Sequence, residues 1–346
     1  MSRRAFLGVG ARVAGLVAGA SLWPATAAAA LQGDNPGPSP GGRDALATEP
    51  ASRGDFPDPF VLRVDRWYYA YATQTGAVNV QVMRSNDLTT WTRPRDALPD
   101  LPGWAGWGHT WAPAVLPRRH GYVLYYTVRH RDSGRQTISV ATATDPAGPF
   151  VDVSSRPLIF QLDEGGSIDP SPFVDDDGTA YLLWKSDGNA VGRTTVLWGA
   201  RLSADGLALA GPAVELLAQD ASWEAPVIEG PALIRAADRY YLFYGGGWWE
   251  TERAAIGYAV AQGPLGPYVK ASTDQPWVAS RPNLAGPSGP QPFSDADGQV
   301  WIAYHAWEPG RVGYAVGGAR SLWIDRVGFT GGRPVLGLRS TAHKPG

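Results

Sequence analysis

Three carboxylates stand beside a proline at widely separated points of the 346-residue chain: Asp58-Pro59, Asp169-Pro170 and Glu229-Gly230-Pro231. An acid next to a rigid turn residue is held in place. Gathered at one spot, such groups could transfer protons, one carboxyl kept protonated as an acid and another ionised as a base. The rest of the composition narrows the chemistry. The chain has no Cys, which removes thiol catalysis, disulfide scaffolds, iron–sulfur clusters and Cys-ligated zinc. Its 30 Lys plus Arg against 32 Asp plus Glu form no basic run, so neither nucleic acid nor an anionic membrane surface is expected as a partner. The 15 Trp and 43 Gly point to flat rings carried on tight turns, a surface that suits neutral sugars.

The elements that must gather these acids are legible as a repeat. Five units open on a proline-containing turn at Asp58, Ala112, Asp169, Glu229 and Gly289, with starts 54, 57, 60 and 60 residues apart. Each runs through a short apolar strand and a turn into an aromatic-rich second strand. These are Trp67–Tyr71, Tyr122–Tyr126, Ala180–Trp184, Tyr240–Tyr244 and Val300–Tyr304. Such β-branched and aromatic runs between Gly, Asp and Asn turns mark strands, and Asp177-Gly178 and Asp297-Gly298 are hairpin turns. Third strands are expected at Val80–Arg84, Ile138–Ala143, Val196–Leu202, Ile256–Ala261 and Val312–Val316. Five units of three or four strands predict an all-β, five-bladed β-propeller around a central channel.

Propeller geometry turns these positions into a site. The start of the innermost strand and the loop between strands two and three lie on one face of the disk, so the five unit starts ring the channel mouth. Three carry an acid, while Ala112 and Gly289 indicate that the fold itself asks for none. Asp169 and Glu229 fall on neighbouring blades, and Asp58 sits across the channel. Like charges close together raise the pKa of at least one member, so Glu229 is expected to stay protonated as the general acid and Asp58 to stay ionised as the base. An acid and a base facing one another with a water between them suit glycoside hydrolysis with inversion. Loops on the same face would build the sugar subsites: Gly247-Trp248-Trp249-Glu250 from blade four, Trp104, Trp107, His109 and Trp111 leading into blade two, Lys185 from blade three, and Arg129 with His130 from blade two.

Taken together, Phe56-Pro57-Asp58-Pro59-Phe60, Trp111-Ala112-Pro113, Ser167-Ile168-Asp169-Pro170, Ile228-Glu229-Gly230-Pro231 and Tyr304-His305-Ala306 resemble the motifs of glycoside hydrolase family 43. The resemblance runs from about Gly54 to Leu338. It implies inverting hydrolysis of arabinofuranosides or xylosides from plant cell-wall polysaccharides, with Asp58 as base, Asp169 as the modulator that also orients the acid, and Glu229 as acid. It further implies that Arg320 approaches the sugar and that His305, at the channel centre, often helps hold a structural calcium ion, frequently through water. No cofactor is implied for the chemistry itself. Ala114 departs from the pattern, since many members carry an acid there.

The first thirty residues are read separately. Arg3-Arg4, a small-residue apolar stretch and Ala25-Thr26-Ala27 have the layout of a twin-arginine export signal, which predicts a secreted protein without a membrane span after cleavage. Removing its three arginines takes the net charge from −2 to −5. Residues 31–53, rich in Gly, Pro, Ser and Asp, are expected to be a flexible linker, and 54–346 the catalytic domain. The reading favours a monomeric α-L-arabinofuranosidase or arabinanase acting on a carbohydrate substrate. The alternatives are a β-xylosidase, a retaining fructosyl-acting propeller and a non-catalytic sugar-binding propeller. Ile168 weighs against the fructosyl reading, because those enzymes usually carry Arg before this Asp-Pro.

Overall fold

The computed structural model describes residues 46–338 apart from 77 and 237. The export signal assigned to residues 1–30 and most of the 31–53 linker lie outside the described residues.

Five antiparallel sheets follow one another along the chain. Blade one is β1 (Phe60–Val64), β2 (Trp67–Ala72), β3 (Gln81–Ser85) and β4 (Arg95–Asp96). Blade two is β5 (Ala105–Arg118), β6 (Gly121–His130) and β7 (Gln136–Ala143), its outer edge extended by isolated bridges from Ile138 to Ile159 and from Thr142 to Val151. Blade three is β8 (Ser167–Val174), β9 (Ala180–Ser186), β10 (Val196–Arg201) and β11 (Val214–Ala218). Blade four is β12 (Ile228–Ala236), β13 (Arg239–Gly246), β14 (Ala255–Ala261) and β15 (Val269–Lys270). Blade five is β16 (Ala285–Ser294), β17 (Val300–Trp307), β18 (Ser321–Thr330) and β19 (Arg333–Leu336). The five-bladed propeller expected from the repeat is the fold.

The period-two pattern of the second strands explains the packing. Each blade buries both faces, and side chains alternate between the two neighbouring seams. In β2, Tyr71 joins a cluster shared with blade two, and its neighbour Ala70 joins one shared with blade five. In β17, Ile302 and Tyr304 face blade four, while Ala303 faces blade one. The buried apolar residues thereby form five clusters, one at each seam between consecutive blades. Small residues on one face are met by large ones opposite, as Ala70 and Ala72 are by Phe293 and Trp301.

Two expectations change. The third strand of blade five is β18, not Val312–Val316. The run Val312, Tyr314, Val316 mimics strand alternation, but Gly313 and Gly317 adopt left-handed φ values of 102° and 72° and turn it into a loop. Within that loop, Tyr314–Val316 is a single 3-10 turn. Residues 47–52, read as linker, are fastened to blade five. Ser52 pairs with Leu322 of β18, Ala47 N–H donates to Asp325 Oδ1 at 2.5 Å, and Asn283 donates to the Thr48 carbonyl at 2.9 Å. Besides these backbone bonds, only the small side chains of Ala47 and Ala51 pack against the core, so the composition of this stretch looks like linker. It joins the first blade to the last and so helps close the ring.

Asp325 is the anchor of that closure: 2% exposed, it also accepts from the Tyr304 hydroxyl at 2.6 Å and from Arg281 at 3.3 Å. Asp325→Ala leaves the buried Tyr304 hydroxyl and the Ala47 N–H without their acceptor and removes the charge that pairs with Arg281, and should cost about 3–5 kcal/mol, read as a lowered midpoint in denaturant unfolding.

Candidate active site

The channel mouth is ringed by five residues, each preceding a proline: Asp58, Ala112, Asp169, Gly230 and Gly289, with φ of 53°, 44°, 57°, 58° and 62°. All five share the left-handed region. In blades two to five this conformation coincides with a bulge in pairing between strands one and two, at Trp111/Ala114, Ile168/Ser171, Glu229/Ala232 and Ser288/Gln291. The register corrects the repeat by one residue in blade four. Gly230, not Glu229, is the equivalent of Asp58 and Asp169, and Glu229 stands where blades two and three have Trp111 and Ile168. Two of the five ring positions therefore carry an acid, and Glu229 points into the well from the position before the ring.

Four of the five ring N–H groups are tied to a neighbouring blade. Ala112 N–H donates to Thr73 Oγ1 at 2.9 Å, Asp169 N–H to Thr127 Oγ1 at 3.0 Å, and Asp58 N–H to His305 Nδ1 at 3.0 Å. Thr73, Thr127 and His305 all follow within two residues the aromatic run of the preceding blade's second strand. Blade three has Lys185 at that place, which cannot accept, and Gly230 N–H turns to the Asp169 carboxylate at 2.9 Å. His305 is thus a clasp like the two threonines. Gly289 makes room for it, since a Cβ there would come within 2.9 Å of Nδ1.

Above the ring lies a well of about 650 Å³ walled by all five blades. Of the residues singled out from sequence, Asp58, Asp169, Glu229, Trp111, Trp248, Trp249, Lys185 and Arg320 all line it, together with His109. His305 lies behind Asp58, 1% exposed. Trp104 does not line the well. It packs against blade two and donates to the Ser154 carbonyl. Trp107, 66% exposed, lies outside the lining, as do Arg129 and His130. Arg129 does reach His109 Nε2 at 2.9 Å.

The charges are unevenly dealt. Burial works to raise the Asp58 pKa, but Arg320 at 3.6 Å and a 2.5 Å hydrogen bond from Thr73 outweigh it and bring the carboxyl below its ordinary range. His305 is neutral, its pKa driven down to about 3 by burial and by Arg320. Asp169 is pushed up to about 7, first by burial and then by the charge of Glu229. Glu229 is raised as well, by burial and with Asp58 adding, against the pull of Lys185 at 3.5 Å. The two carboxyls behave as one unit holding a single proton near neutral pH. Lys185 steadies the anion of Glu229, so the resting proton lies more on Asp169 than on Glu229.

Lys185 and Arg320 thereby take on duties beyond touching a ligand. The ammonium of Lys185 is 1% exposed and spent on Glu229, Asp187 at 3.8 Å and Asn189 at 2.9 Å. The Arg320 guanidinium lies 4.8 Å from the Trp249 ring centre and 5.8 Å from that of Trp307, so it occupies a face of Trp249. Trp248, 40% exposed, keeps a surface open to solvent. Sequence reasoning missed Thr73, Tyr314 and Asp55. Thr73 could have been found by extending the repeat one or two residues past each aromatic run of the second strands, where Thr127 and His305 also fall.

A carboxylate held ionised, facing a carboxyl pair that holds one proton in an aromatic-walled well, defines a propeller equipped for acid–base chemistry on a small polar ligand. The comparisons with known proteins agree. The model of "Glycosyl hydrolases family 43" matches residues 47–334. A curated protein of Butyrivibrio fibrisolvens named "Xylosidase/arabinosidase" is 29% identical over 211 residues, covering 58% of this chain and 38% of that protein. The chain spans less than half the length of the curated relatives it matches first. Among solved structures, a thermostable family-43 glycoside hydrolase superposes with a TM-score of 0.72 at 28% identity, covering 85% of this chain and 96% of that one. An endo-1,4-beta-xylanase from Bacteroides thetaiotaomicron gives 0.70 at 28% identity, covering 86% and 100%. The chain belongs to glycosyl hydrolases family 43.

Removing the cation next to the pair gives a test of these electrostatics. In Lys185→Met the anions of Asp169 and Glu229 lose their stabilising charge, so the pair should keep its proton to higher pH. Carboxyl-carbon NMR titration of the two side chains should show an upward pKa shift, and an unchanged titration would remove Lys185 from the account.

Proposed function

We propose that the protein is an inverting glycosidase that releases arabinofuranosyl or xylosyl units from plant cell-wall glycans, and that it is exported through the twin-arginine route. The observation that carries this reading is the opposed state of the carboxyls: Asp58 ionised under Arg320 and Thr73, Asp169 and Glu229 holding one proton between them. In the step we assign, Asp58 removes a proton from a water whose oxygen attacks the anomeric carbon. The glycosidic C–O bond breaks, and the proton of the pair passes through Glu229 to the departing oxygen. Asp169 keeps that proton available at neutral pH and, through Gly230 N–H, holds the backbone next to Glu229. Inversion asks for about 6.5–9.5 Å between acid and base, room for the water.

The α-L-arabinofuranoside reading leads on the resemblance of the motifs and the β-xyloside reading stands second; the curated relative's name carries both sugars. Arg3-Arg4 and the Ala-rich stretch support export. Among the described residues no helix is long and apolar enough to cross a membrane. Calcium bound directly by His305 fits these residues poorly. Nδ1 accepts from Asp58 N–H, which puts the ring proton on Nε2, a donor without a partner and not a metal ligand. No cluster of three His, Asp or Glu suited to a metal occurs among the described residues. The role we give His305 is to hold the base.

Screening on nitrophenyl α-L-arabinofuranoside, nitrophenyl β-xyloside and debranched arabinan ranks the sugars. Glu229→Gln should lower kcat by about 10²–10⁴-fold, most on substrates with poor leaving groups and least on nitrophenyl glycosides, whose leaving group needs little protonation. Uniform turnover across both would overturn Glu229 as the acid.

A further inference from the structure

Tyr314 was read from sequence as part of a strand, yet it lies on the rim of the well, 43% exposed, in the loop between β17 and β18. Its hydroxyl is the junction of a polar chain. It accepts from Arg320 Nε at 3.2 Å and Nη2 at 2.9 Å, and it faces the two Asp55 oxygens at 3.2 and 3.0 Å, to one of which it donates. Asp55 Oδ1 also accepts from the Arg320 backbone N–H at 2.9 Å. Glu250 on the blade-four loop accepts from Tyr314 N–H at 3.2 Å. One residue therefore ties the segment leading into blade one, the blade-four loop and the start of β18.

The geometry of Arg320 gives that junction a task. Trp249, Trp307 and Tyr314 surround its guanidinium, with ring centres 4.8, 5.8 and 5.6 Å away. Rings hold a flat cation by its faces and leave it free to turn in its own plane. The turn is set by hydrogen bonds along one edge. With Nε and Nη2 both committed to the Tyr314 hydroxyl, the remaining nitrogen, Nη1, points toward Asp58, 3.6 Å from Oδ1. We propose that Tyr314, anchored by Asp55, is a positioning residue that orients Arg320 toward Asp58. Through Arg320 it keeps the base ionised. The inference rests on reading Asp58 as the base.

The other groups facing Asp58 stay in place when the hydroxyl is removed. Neutral His305 and Thr73 are bonded to it directly, and Asp169 and Glu229 face it from blades three and four. Only Arg320 is freed. Around Tyr314 itself the charged groups are Asp55, Arg320 and Glu250.

The test is Tyr314→Phe, which keeps the ring and deletes the hydroxyl, with Asp55→Asn as a second variant that weakens the same junction from its far end. The acid limb of the kcat/KM profile should move up by about half a pH unit or more, since a cation that turns away no longer favours the Asp58 anion. Carboxyl-carbon NMR titration of Asp58, assigned by Asp58→Asn, should move the same way, with the thermal midpoint unchanged. A profile and an Asp58 titration that superpose on the unaltered protein, with KM alone raised, would overturn the proposal and make Tyr314 a wall for the sugar. If the unaltered protein hydrolyses none of the glycosides, the glycosidase reading falls, while the NMR titration still decides whether Tyr314 governs Asp58.

Discussion

The constraint on which the site depends is a backbone one: five residues, each followed by proline, must all adopt left-handed φ where the blades meet the channel. A residue before proline is normally extended, and a side chain in this region costs about 1–3 kcal/mol. Two blades avoid the cost with Gly230 and Gly289. Asp tolerates the conformation better than most residues, and Ala112 bears the strain outright. What holds the non-glycine members is a hydrogen bond from each ring N–H to a side chain just past the aromatic run of the previous blade's second strand, Thr73, Thr127 or His305. Because the acids are themselves ring residues, or adjacent to one, the bonds that close the propeller also aim its carboxylates.

The same ring decides the electrostatics. Carboxylates at the floor of a well lose water on most sides, which alone would protonate all of them. The two cations are placed asymmetrically. Arg320, caged by three rings, stands over Asp58; Lys185, almost fully buried, leans on Glu229 and Asp187. Asp58 therefore remains charged, while Asp169 and Glu229 keep a proton between them. Neither lysine nor arginine acts on one acid alone: Arg320 favours the anions of Asp58 and Glu229, and Lys185 those of Asp169 and Glu229.

Much of this was legible in the chain. The blade spacing, the aromatic second strands and the proline at each unit start led to the propeller, and Asp58, Asp169 and Glu229 do meet at its mouth. Three features escaped for separate physical reasons. The one-residue offset of Glu229 follows from aligning the units on their acids: aligned on the residue before each proline, Gly230-Pro231 takes the ring position, as the pairing register of blade four shows. The loop carrying Tyr314 imitates a strand in its alternation, and only the positive φ of Gly313 and Gly317 separates the two. The segment 47–52 looks like linker because backbone groups do most of the tying to blade five, with only the small side chains of Ala47 and Ala51 packing on the core. Of the tryptophans, side-chain type could not tell Trp104, which packs a blade, from Trp248, which faces the well.

The central claim is that the base and the proton-holding pair act from opposite sides of the anomeric carbon with a water between them. Proton NMR of the sugar released in the first moments of hydrolysis reads this directly, before mutarotation mixes the anomers. The account predicts that the first-formed sugar has the anomeric configuration opposite to that of the substrate; a product of retained configuration would contradict it.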